Sequence, residues 1–202
     1  MDVTIVGTGN MARGIGTRML EGGHAVTLLG TSADKAKEVA GELGSEVTAG
    51  TVGDPAAGEV VVLAVPYDAA AELARAYEGK IVVDITNPVD FSSFEPIPTD
   101  GSAAEEIAAA APGARVVKAF NTTFAGTLVE GGVAGERLDV FIAGDDEAAK
   151  ATVAQLASDG GLHPIDVGPL RRARQLEPLG YLHMVVTQGA DPPFGTAVKV
   201  LG

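Results

Sequence analysis

The sequence predicts an α/β fold, in which a doubly wound, mostly parallel sheet is covered by helices on both faces. Apolar runs typical of strands alternate with alanine-rich, charged segments typical of helices. This alternation favours parallel strands joined by helical crossovers. Several runs consist almost entirely of valine, isoleucine and leucine, which suits strands buried on both faces. The predicted strands are 3–7, 25–30, 59–65, 80–85, 114–120, 139–144 and a short late strand, 163–168.

Helix-like segments fill the intervals between these strands. The predicted helices are Asn10–Glu21, Ser32–Leu43, Tyr67–Tyr77, Ser102–Ala111 and Asp146–Ser158. After Gly168 the sequence changes character, and Leu170–Gln188 is predicted to form a helical tail with an internal proline, Pro178. We therefore predict one domain over residues 1–202, with a short C-terminal helical segment over about 170–202.

The first strand runs directly into a glycine-rich turn. The turn has the sequence Gly7-Thr8-Gly9-Asn10-Met11-Ala12. Gly7 permits a tight turn, Gly9 lets a diphosphate approach the main chain, and Ala12 is small enough for close packing of helix on strand. The alternative is a tight strand-to-helix turn with no ligand. A strand before the turn and a helix after it favour dinucleotide binding, with the diphosphate at the start of the helix.

The end of the second strand bears on the choice between NAD and NADP. An NAD site usually has an Asp or Glu at this point to hold the ribose hydroxyls. Here the strand is followed by Thr31 and Ser32, and Lys35 lies one turn further on. These side chains can donate hydrogen bonds to a 2′-phosphate, which favours NADP. Thr31 and Ser32 could also cap the second helix, and capping is compatible with phosphate binding.

Three later strand ends are predicted to meet at the same edge of the sheet. They carry Ala64, Val65 and Pro66 after the third long run, then Thr86, Asn87 and Pro88, and finally Phe120 and Asn121. The prolines remove N–H donors and stiffen their turns. Together these residues could form the walls around a nicotinamide ring, with Thr86 or Asn121 reaching its amide. Each of them could instead be an ordinary turn residue.

A long loop follows the predicted strand 80–85. Residues 87–101 (NPVDFSSFEPIPTDG) are rich in proline and serine. The loop leaves from the carboxyl end of a strand, where open α/β sheets place their ligands. It is therefore interpreted either as a lid over a site or as a plain excursion of the chain.

No group with the character of a catalytic acid or base stands out. Tyr77 and Lys80 are spaced too closely for a tyrosine–lysine pair, and they lie at a helix-to-strand connection far from the carboxyl edge. We expect His24 and His163 to be solvated, and His183 to pack or lie at the surface, although it could face the site. Hydride transfer between two carriers suits such a chain, because the cofactors carry the chemistry.

The overall composition permits a sizeable core and excludes several kinds of chemistry. Hydrophobic residues make up 46% of the chain and charged residues 20%, which is ordinary for a globular protein. The absence of cysteine excludes disulfides, thiolate metal sites and cysteine nucleophiles. No spacing typical of metal ligands appears either, so we predict no metal.

The charge and the hydropathy of the chain limit its partners. A formal net charge of −13 disfavours nucleic acid, because phosphate contacts need clustered Lys and Arg. Any phosphate site must therefore be formed by a few nearby N–H groups and basic side chains. We interpret the net negative charge as a feature that keeps the protein soluble. No apolar stretch reaches the roughly 18 residues of a membrane span, and the chain starts directly with a strand-like run. We expect no membrane association and a cytoplasmic location.

Longer segments of the chain resemble a known family. The segments are IVGTGNMARGIG, GTSADKA, VVLAVPYDAA, VVKAFNT, IAGDDEAAK, PIDVGPL followed by R-x-LEPL, and GTAVKVL. They resemble the NADPH-dependent reductases of the deazaflavin coenzyme F420, the F420H2:NADP+ oxidoreductase family. The chain is also similar to the oxidoreductase domain of membrane ferric reductases of the six-transmembrane type.

The resemblance implies a Rossmann-type core with a small C-terminal capping segment, commonly in a homodimer. It implies diphosphate contacts from Thr8 to Met11 and 2′-phosphate contacts at Thr31, Ser32 and Lys35. The family often has an arginine where Ser32 stands. The deazaflavin would lie over the nicotinamide, between the strand ends and the C-terminal segment. Its site candidates are Pro66, Asn87, Pro88, Phe120 and Asn121. For relatives with NPVDF and VVKAFNT, the resemblance leaves a flavin (FMN or FAD) or an unknown acceptor as the alternative to the deazaflavin.

Three functional hypotheses follow. The leading one is an NADPH-linked oxidoreductase that exchanges hydride with a small-molecule redox cofactor, a deazaflavin or a flavin. The second is a reductase of imines, similar to the pyrroline-carboxylate reductases. Those enzymes carry a substantial helical dimerisation domain, for which 202 residues leave little room. The third is a nucleotide-sensing module without turnover.

Overall fold

The computed structural model describes residues 1–201 and is organised around one large sheet. The strands are β1 (Asp2–Val6), β2 (Ala25–Gly30), β3 (Thr48–Thr51), β4 (Val60–Leu63), β5 (Ile81–Asp84), β6 (Val89–Asp90), β7 (Glu95–Pro96), β8 (Arg115–Lys118), β9 (Gly132–Val133), β10 (Glu136–Arg137), β11 (Asp139–Gly144) and β12 (His163–Gly168). The helices are α1 (Asn10–Glu21), α2 (Ala33–Leu43), α3 (Tyr67–Ala74), α4 (Ala103–Ala110), α5 (Ala125–Glu130), α6 (Glu147–Asp159) and α7 (Ala173–Thr187). Short 3-10 turns at Arg75–Tyr77 and Leu170–Arg172 extend α3 and precede α7.

The large sheet has eight strands in the order β12-β11-β8-β5-β4-β1-β2-β3. Its neighbours from β3 to β8 are parallel, so the first strand lies in the middle and the chain winds outward in both directions. The direction reverses between β8 and β11, and β12 is parallel to β11. The predicted fold class, a Rossmann-type doubly wound, mostly parallel sheet with a C-terminal helical segment, is confirmed.

The central strands are buried on both faces, as their apolar composition requires. In β4, Val60 and Val62 belong to one hydrophobic cluster, while Val61 and Leu63 belong to another. The first cluster includes side chains of α1 and α6, and the second includes side chains of α3 and α4. Because successive side chains of a strand point to opposite faces, the sheet separates two layers of core. Burial on both sides fixes the strand ends that form the cleft described below.

Some elements differ from the sequence-based expectation. β3, which has the sequence TAGT and lies at the edge of the sheet beside β2, is not among the predicted strands. α5, a helix of six residues that ends at Glu130 and is capped by Gly131 with φ of 76°, is not among the predicted helices. The predicted loop 87–101 contains a small hairpin, β6–β7. These elements carry no extended apolar pattern, so their positions depend on contacts with the rest of the fold.

The solvent exposure expected for His24 is wrong. Its side chain is buried, with Nδ1 3.2 Å from the amino group of Met1 and Nε2 3.3 Å from Asp159 Oδ2. Burial, followed by the N-terminal amino group, lowers the pKa of His24. The short turn between α1 and β2 places this residue under the end of α6, which periodicity alone does not reveal. His163 is half exposed and lies 2.9 Å from Asp139.

Two features are absent from the described residues, 1–201. Within residues 1–201, no helix combines the length and the hydropathy that crossing a membrane requires. In the same range, no three or more His, Cys, Asp or Glu side chains are grouped so as to hold a metal ion.

Candidate active site

A cleft of about 580 Å³ opens at the carboxyl ends of β1, β4, β5 and β8. This is the edge at which doubly wound sheets bind their ligands. The lining residues come from the glycine turn, three strand ends, the β6–β7 hairpin, the start of α5 and the C-terminal segment. They are Gly9, Asn10, Met11, Ala64, Val65, Pro66, Tyr67, Ile85, Thr86, Asn87, Phe91, Asn121, Thr123, Phe124, Ala125, Gly126, Met184 and Phe194.

The two glycines of the turn have different structural roles. Gly7 has φ of 123°, and a Cβ on it would lie 2.1 Å from the carbonyl oxygen of Ala64. Gly7 is therefore required by the close approach of the turn to the end of β4. A Cβ on Gly9 would meet nothing within 4 Å. The protein itself does not need a glycine there, and the space beside Gly9 is open to the cleft.

The first turn of α1 is available to an anion. Gly9 is its N-cap and contributes no side-chain hydrogen bond, and the helix ladder begins with the N–H of Arg13 bonded to the carbonyl of Gly9. The preceding amides of the helix therefore point out of its N-terminus without a capping side chain. These N–H groups and the positive end of the helix dipole suit a diphosphate. The open face of Gly9 leaves room for it.

The end of β2 lies beside the glycine turn but outside the cleft lining. A Cβ on Gly30 would meet the methyl group of Thr8 at 2.8 Å, so the two turns touch. Thr31, Ser32 and Lys35 are exposed. Ser32 caps α2, since its Oγ accepts from the N–H of Lys35 at 3.4 Å. These hydroxyl and ammonium groups therefore stand at the surface, next to one end of the cleft.

One basic residue in this region, Arg13, is not among the predicted site residues. Arg13 donates to the carbonyl of Thr8 at 2.9 Å and forms an ion pair with Glu42 of α2 at 2.7 Å. The hydrogen bond with Glu42 is the main cause of a raised pKa for Arg13. The guanidinium thus joins the glycine turn to α2. Its position in the first turn of α1 was the available signal, because that turn borders the phosphate site.

Two asparagines join the ends of β5 and β8. Asn87 donates to the carbonyl of Asn121 at 2.8 Å, and Asn121 donates back to Asn87 Oδ1 at 2.9 Å. Asn121 also donates to the carbonyl of Leu176 in α7 at 2.8 Å. Two buried atoms of this wall, Thr86 Oγ1 and Asn121 Oδ1, have no hydrogen-bond partner. Such orphaned atoms need an explanation, and a ligand with an amide group would supply partners for both.

The residues that line the cleft include one ionisable side chain among those the structure describes, Tyr67. Its hydroxyl donates to Glu106 at 2.5 Å. Burial, reinforced by this bond and by the charge of Glu106, raises the pKa of Tyr67 to about 12. The phenol therefore stays protonated at neutral pH. The wall offers hydrogen bonds and apolar surface, and it can orient a redox cofactor without exchanging protons.

The outer part of the cleft is aromatic, and its aromatic residues are not among the predicted site residues. Phe124 packs edge-on against Phe194 with ring centroids 5.3 Å apart, and Phe91 is 71% exposed. Phe124 precedes α5, and Phe194 lies in the segment after α7. These residues come from distant parts of the chain, so no local pattern could have grouped them. Flat, apolar ligands stack well on such rings.

The structure brings together about half of the residues predicted for the cofactor site. Those on the cleft wall are Gly9, Asn10, Met11, Ala64, Val65, Pro66, Thr86, Asn87 and Asn121. Gly7, Thr8 and Ala12 belong to the turn without lining the cleft, and Ala12 is fully buried. Pro88 lines a neighbouring cavity of about 250 Å³. Phe120 has φ of 62° and is buried in the main core.

Together, the fold and the cleft define a Rossmann-type protein of the dinucleotide-binding class. A family model described as "NADP oxidoreductase coenzyme F420-dependent" matches residues 2–88. The F420-dependent NADP reductase of Methanocaldococcus jannaschii is 30% identical over 197 residues, which cover 88% of this chain and 88% of that protein. The crystal structure of a putative F420-dependent NADP reductase from Arthrobacter sp. FB24 is 30% identical and superposes with a TM-score of 0.82, covering 100% of both chains.

A second group of relatives is similar over part of its length. Metalloreductase STEAP3 of Rattus norvegicus is 36% identical over 179 residues, which cover 87% of this chain and 35% of that protein. The chain thus spans about a third of the length of this relative. With the full-length matches, these findings identify the chain as a member of the F420-dependent NADP reductase family. The resemblance predicted from the sequence segments is confirmed, and with it the oxidoreductase class.

Proposed function

We propose that this protein is an NADP(H)-dependent oxidoreductase that transfers hydride between NADPH and the deazaflavin coenzyme F420. The observation that supports this most is the form of the cleft. One end is an open glycine turn at an uncapped helix N-terminus, and the other end is a wall of aromatic side chains. Two flat cofactors in contact need such a site, with an anion cradle for one of them and apolar surface for the other.

In this proposal the dinucleotide lies along the carboxyl edge of the sheet. The main-chain amides from Thr8 to Met11 bind its diphosphate, and Thr31, Ser32 and Lys35 bind its 2′-phosphate. The nicotinamide end lies against the strand-end walls. The residues proposed for those walls are Ala64, Val65, Pro66, Thr86, Asn87 and Asn121. The bound NADPH supplies the hydride, and the protein orients the ring and excludes water.

The acceptor is proposed to lie over the nicotinamide, on the aromatic side of the cleft. Phe91, Phe124 and Phe194 offer faces and edges for stacking. A deazaflavin and a flavin share a flat tricyclic ring, so FMN and FAD are the alternative acceptors. Coenzyme F420 takes precedence because full-length relatives are F420-dependent NADP reductases. No protein acid is required, and we assign no catalytic residue.

A steady-state assay tests this function. Purified protein is mixed with NADPH and, in separate reactions, with coenzyme F420, FMN, FAD or a cyclic imine, and NADPH oxidation is followed by absorbance. We expect turnover with F420 to exceed that with either flavin, and no turnover with the imine. Turnover with the imine alone would establish an imine reductase instead. NADPH binding without turnover on any acceptor would identify a nucleotide-sensing module.

We also propose that the protein works as a homodimer in the cytoplasm. The outward face of α7 exposes Leu182, Val185 and Val186, of which Val186 is 68% exposed. Apolar side chains at helical spacing on a surface are typical of an interface. Light scattering coupled to size-exclusion chromatography tests the dimer, and a monomeric mass at micromolar concentration would contradict it.

A further inference from the structure

A buried ion cluster lies directly behind the nicotinamide wall of the cleft. Lys118 ends β8, and its side chain has no exposed surface. Its Nζ lies 2.8 Å from Asp84 Oδ2 and 2.9 Å from Glu177 Oε1. The same ammonium donates to the main-chain carbonyl of Thr86 at 2.5 Å. An ammonium has three N–H groups and no acceptor, so these three oxygen atoms match its donors in number.

The second carboxylate of the cluster has a partner of its own. Glu177 accepts from the main-chain N–H groups of Ala103 and Ala104, at 2.9 and 3.2 Å. These amides begin α4, where a negative charge is favourable. The cluster therefore connects β5, β8, α4 and α7 at one buried point. The single ammonium pairs with both carboxylates, and the first N–H groups of α4 also bind Glu177, so each buried charge has hydrogen-bond partners.

The cluster holds the main chain of the cleft wall on both sides. Asp84 Oδ1 accepts from the N–H of Thr86 at 2.8 Å, while Lys118 binds the carbonyl of the same residue. The main-chain donor and acceptor of Thr86 are thus both fixed from behind the wall. The next residue is Asn87, which pairs with Asn121 across the strand ends. Thr86 itself faces the cleft and carries one of the two orphaned polar atoms.

We propose that Lys118 is a positioning residue for the nicotinamide end of the bound dinucleotide, acting through the main chain of Thr86. This inference rests on the proposed function and adds to it. Fold stability alone does not require such a cluster, because replacing a buried ion pair by apolar groups of similar volume is often neutral or stabilising. A site that must hold a ring at a fixed distance from its partner does require a rigid wall.

The test compares two double variants with matched chemistry. Lys118→Met with Asp84→Asn removes one positive and one negative charge, and the new amide can still accept from the N–H of Thr86. Lys150→Met with Asp166→Asn is the control. Lys150 is buried and paired with Asp166 at 2.9 Å, but neither residue lines the cleft. Circular dichroism and thermal unfolding establish that both variants are folded.

Three readouts separate positioning from a general defect. The first is calorimetric affinity for 2′-phospho-ADP-ribose, which is NADP without its nicotinamide. The second is the fluorescence enhancement of NADPH on binding, which reports immobilisation of its reduced ring. The third is kcat with the acceptor. In the Lys118 variant we expect unchanged affinity for the fragment, a loss of about half the enhancement, and a kcat lower by about tenfold or more. The Lys150 variant should match wild type in all three.

A conservative variant completes the design. Lys118→Gln with Asp84→Asn keeps an amide that can still donate to the carbonyl of Thr86, so it should recover part of the fluorescence and of kcat. If the methionine variant does not fold, the glutamine variant is compared with wild type and should show the same losses in weaker form.

Each contrary result has a distinct meaning. Wild-type fluorescence and kcat in the folded Lys118 variant would overturn the positioning role. An equal loss of affinity for the fragment and for NADPH would overturn it as well, since the defect would then be general. Equal defects in the methionine and glutamine variants would exclude the hydrogen bond to Thr86 as the cause. Wild-type protein that binds neither NADPH nor the fragment would overturn the proposed function itself.

Discussion

At the scale of single residues, the glycine turn contains one glycine that folding requires, Gly7, and one that folding does not require, Gly9. Gly7 is fixed by the protein, because any side chain on it would meet the carbonyl of Ala64. Gly9 is not fixed by the protein, because the space around its missing Cβ is empty. A residue that folding leaves free and that still faces the cleft is the best point at which to block a ligand.

Replacing Gly9 with valine should abolish NADPH binding and leave the protein folded. Gly9 has φ of −81° in the extended region, which valine adopts readily. The loss of a glycine N-cap should cost no more than about 1 kcal/mol. Isothermal titration with NADPH and a thermal melt measure the two effects. Gly7→Val is the contrasting variant and should unfold, whereas normal NADPH titration of Gly9→Val would remove the glycine turn from the proposed site.

Ser32 provides a test of cofactor choice at the same scale. Ser32→Asp keeps a capping oxygen for the N–H of Lys35 and adds a charge that α2 tolerates at its start. Repulsion of the 2′-phosphate should raise the KM for NADPH by about tenfold or more, which corresponds to about 1.4 kcal/mol. The KM for NADH should change little. Ser32→Asn keeps the cap without the charge and is the matched control.

Steady-state kinetics with both nucleotides measure this difference. Equal effects of Ser32→Asp on NADPH and NADH would count against the 2′-phosphate assignment. A large effect of the neutral Ser32→Asn would point to damage at the cap instead of electrostatic repulsion.

At the scale of elements, α7 and the segment after it close one side of the cleft. His183 of α7 has Nδ1 3.1 Å from the carbonyl of Thr122 and Nε2 2.9 Å from Thr196 Oγ1. Because a carbonyl only accepts, Nδ1 carries the proton, and Nε2 shares a hydrogen bond with the hydroxyl of Thr196. The ring also packs on Phe124, with centroids 4.3 Å apart. His183 therefore links the end of β8, α7 and the C-terminal segment.

This histidine should make stability depend on pH. Burial lowers the pKa of His183 from its ordinary 6.5. Just below pH 6.5, this histidine is therefore mostly protonated in the unfolded chain and mostly neutral in the folded protein. The stabilisation is complete above pH 6.5 and is lost as the pH falls towards the lowered value. We expect the free energy of unfolding to decrease from pH 7 to pH 5, and less steeply in His183→Gln. Urea titrations at several pH values measure it.

The buried His24 offers a second, independent contribution to the same trend. Its pKa is also lowered, mainly by burial, so His24→Gln should reduce the slope by a share of its own. Unchanged slopes in both variants would show that carboxylates, and not these imidazoles, determine the acid sensitivity.

The elements also show how much the sequence can predict. Strands and helices with long apolar patterns were predictable, and α1 and β2 begin and end at the predicted residues. The sheet edge that forms the cleft followed from strand direction alone. Phe194, by contrast, reaches the cleft only because Thr196 and Lys199 tie its segment to His183 and Asp139. Lys118 was part of a recognised segment, but its role depends on Glu177 in a helix 59 residues later.

At the scale of the whole molecule, a strongly acidic protein is proposed to bind a polyanionic cofactor. The formal net charge is −13, so the long-range field repels NADPH. The attractive groups are few and local, namely the first amides of α1, Lys35 and Arg13. Salt screens the long-range repulsion more than the local attraction, because the Debye length falls from about 30 Å at 0.01 M to about 8 Å at 0.15 M. Distant carboxylates lose their influence first.

The association rate of NADPH should therefore rise with ionic strength over this range, by roughly two- to fivefold, whereas attractive steering would make it fall. Stopped-flow fluorescence at constant pH measures the rate, and the dissociation rate should change less, since it depends on contacts at short range. Lys35→Gln should lower the association rate at every salt concentration and leave the upward trend in place. An association rate that falls steadily with salt would mean that positive side chains near the site dominate the approach of NADPH. Binding would then depend more on those side chains, and less on the main-chain amides of the glycine turn, than we propose.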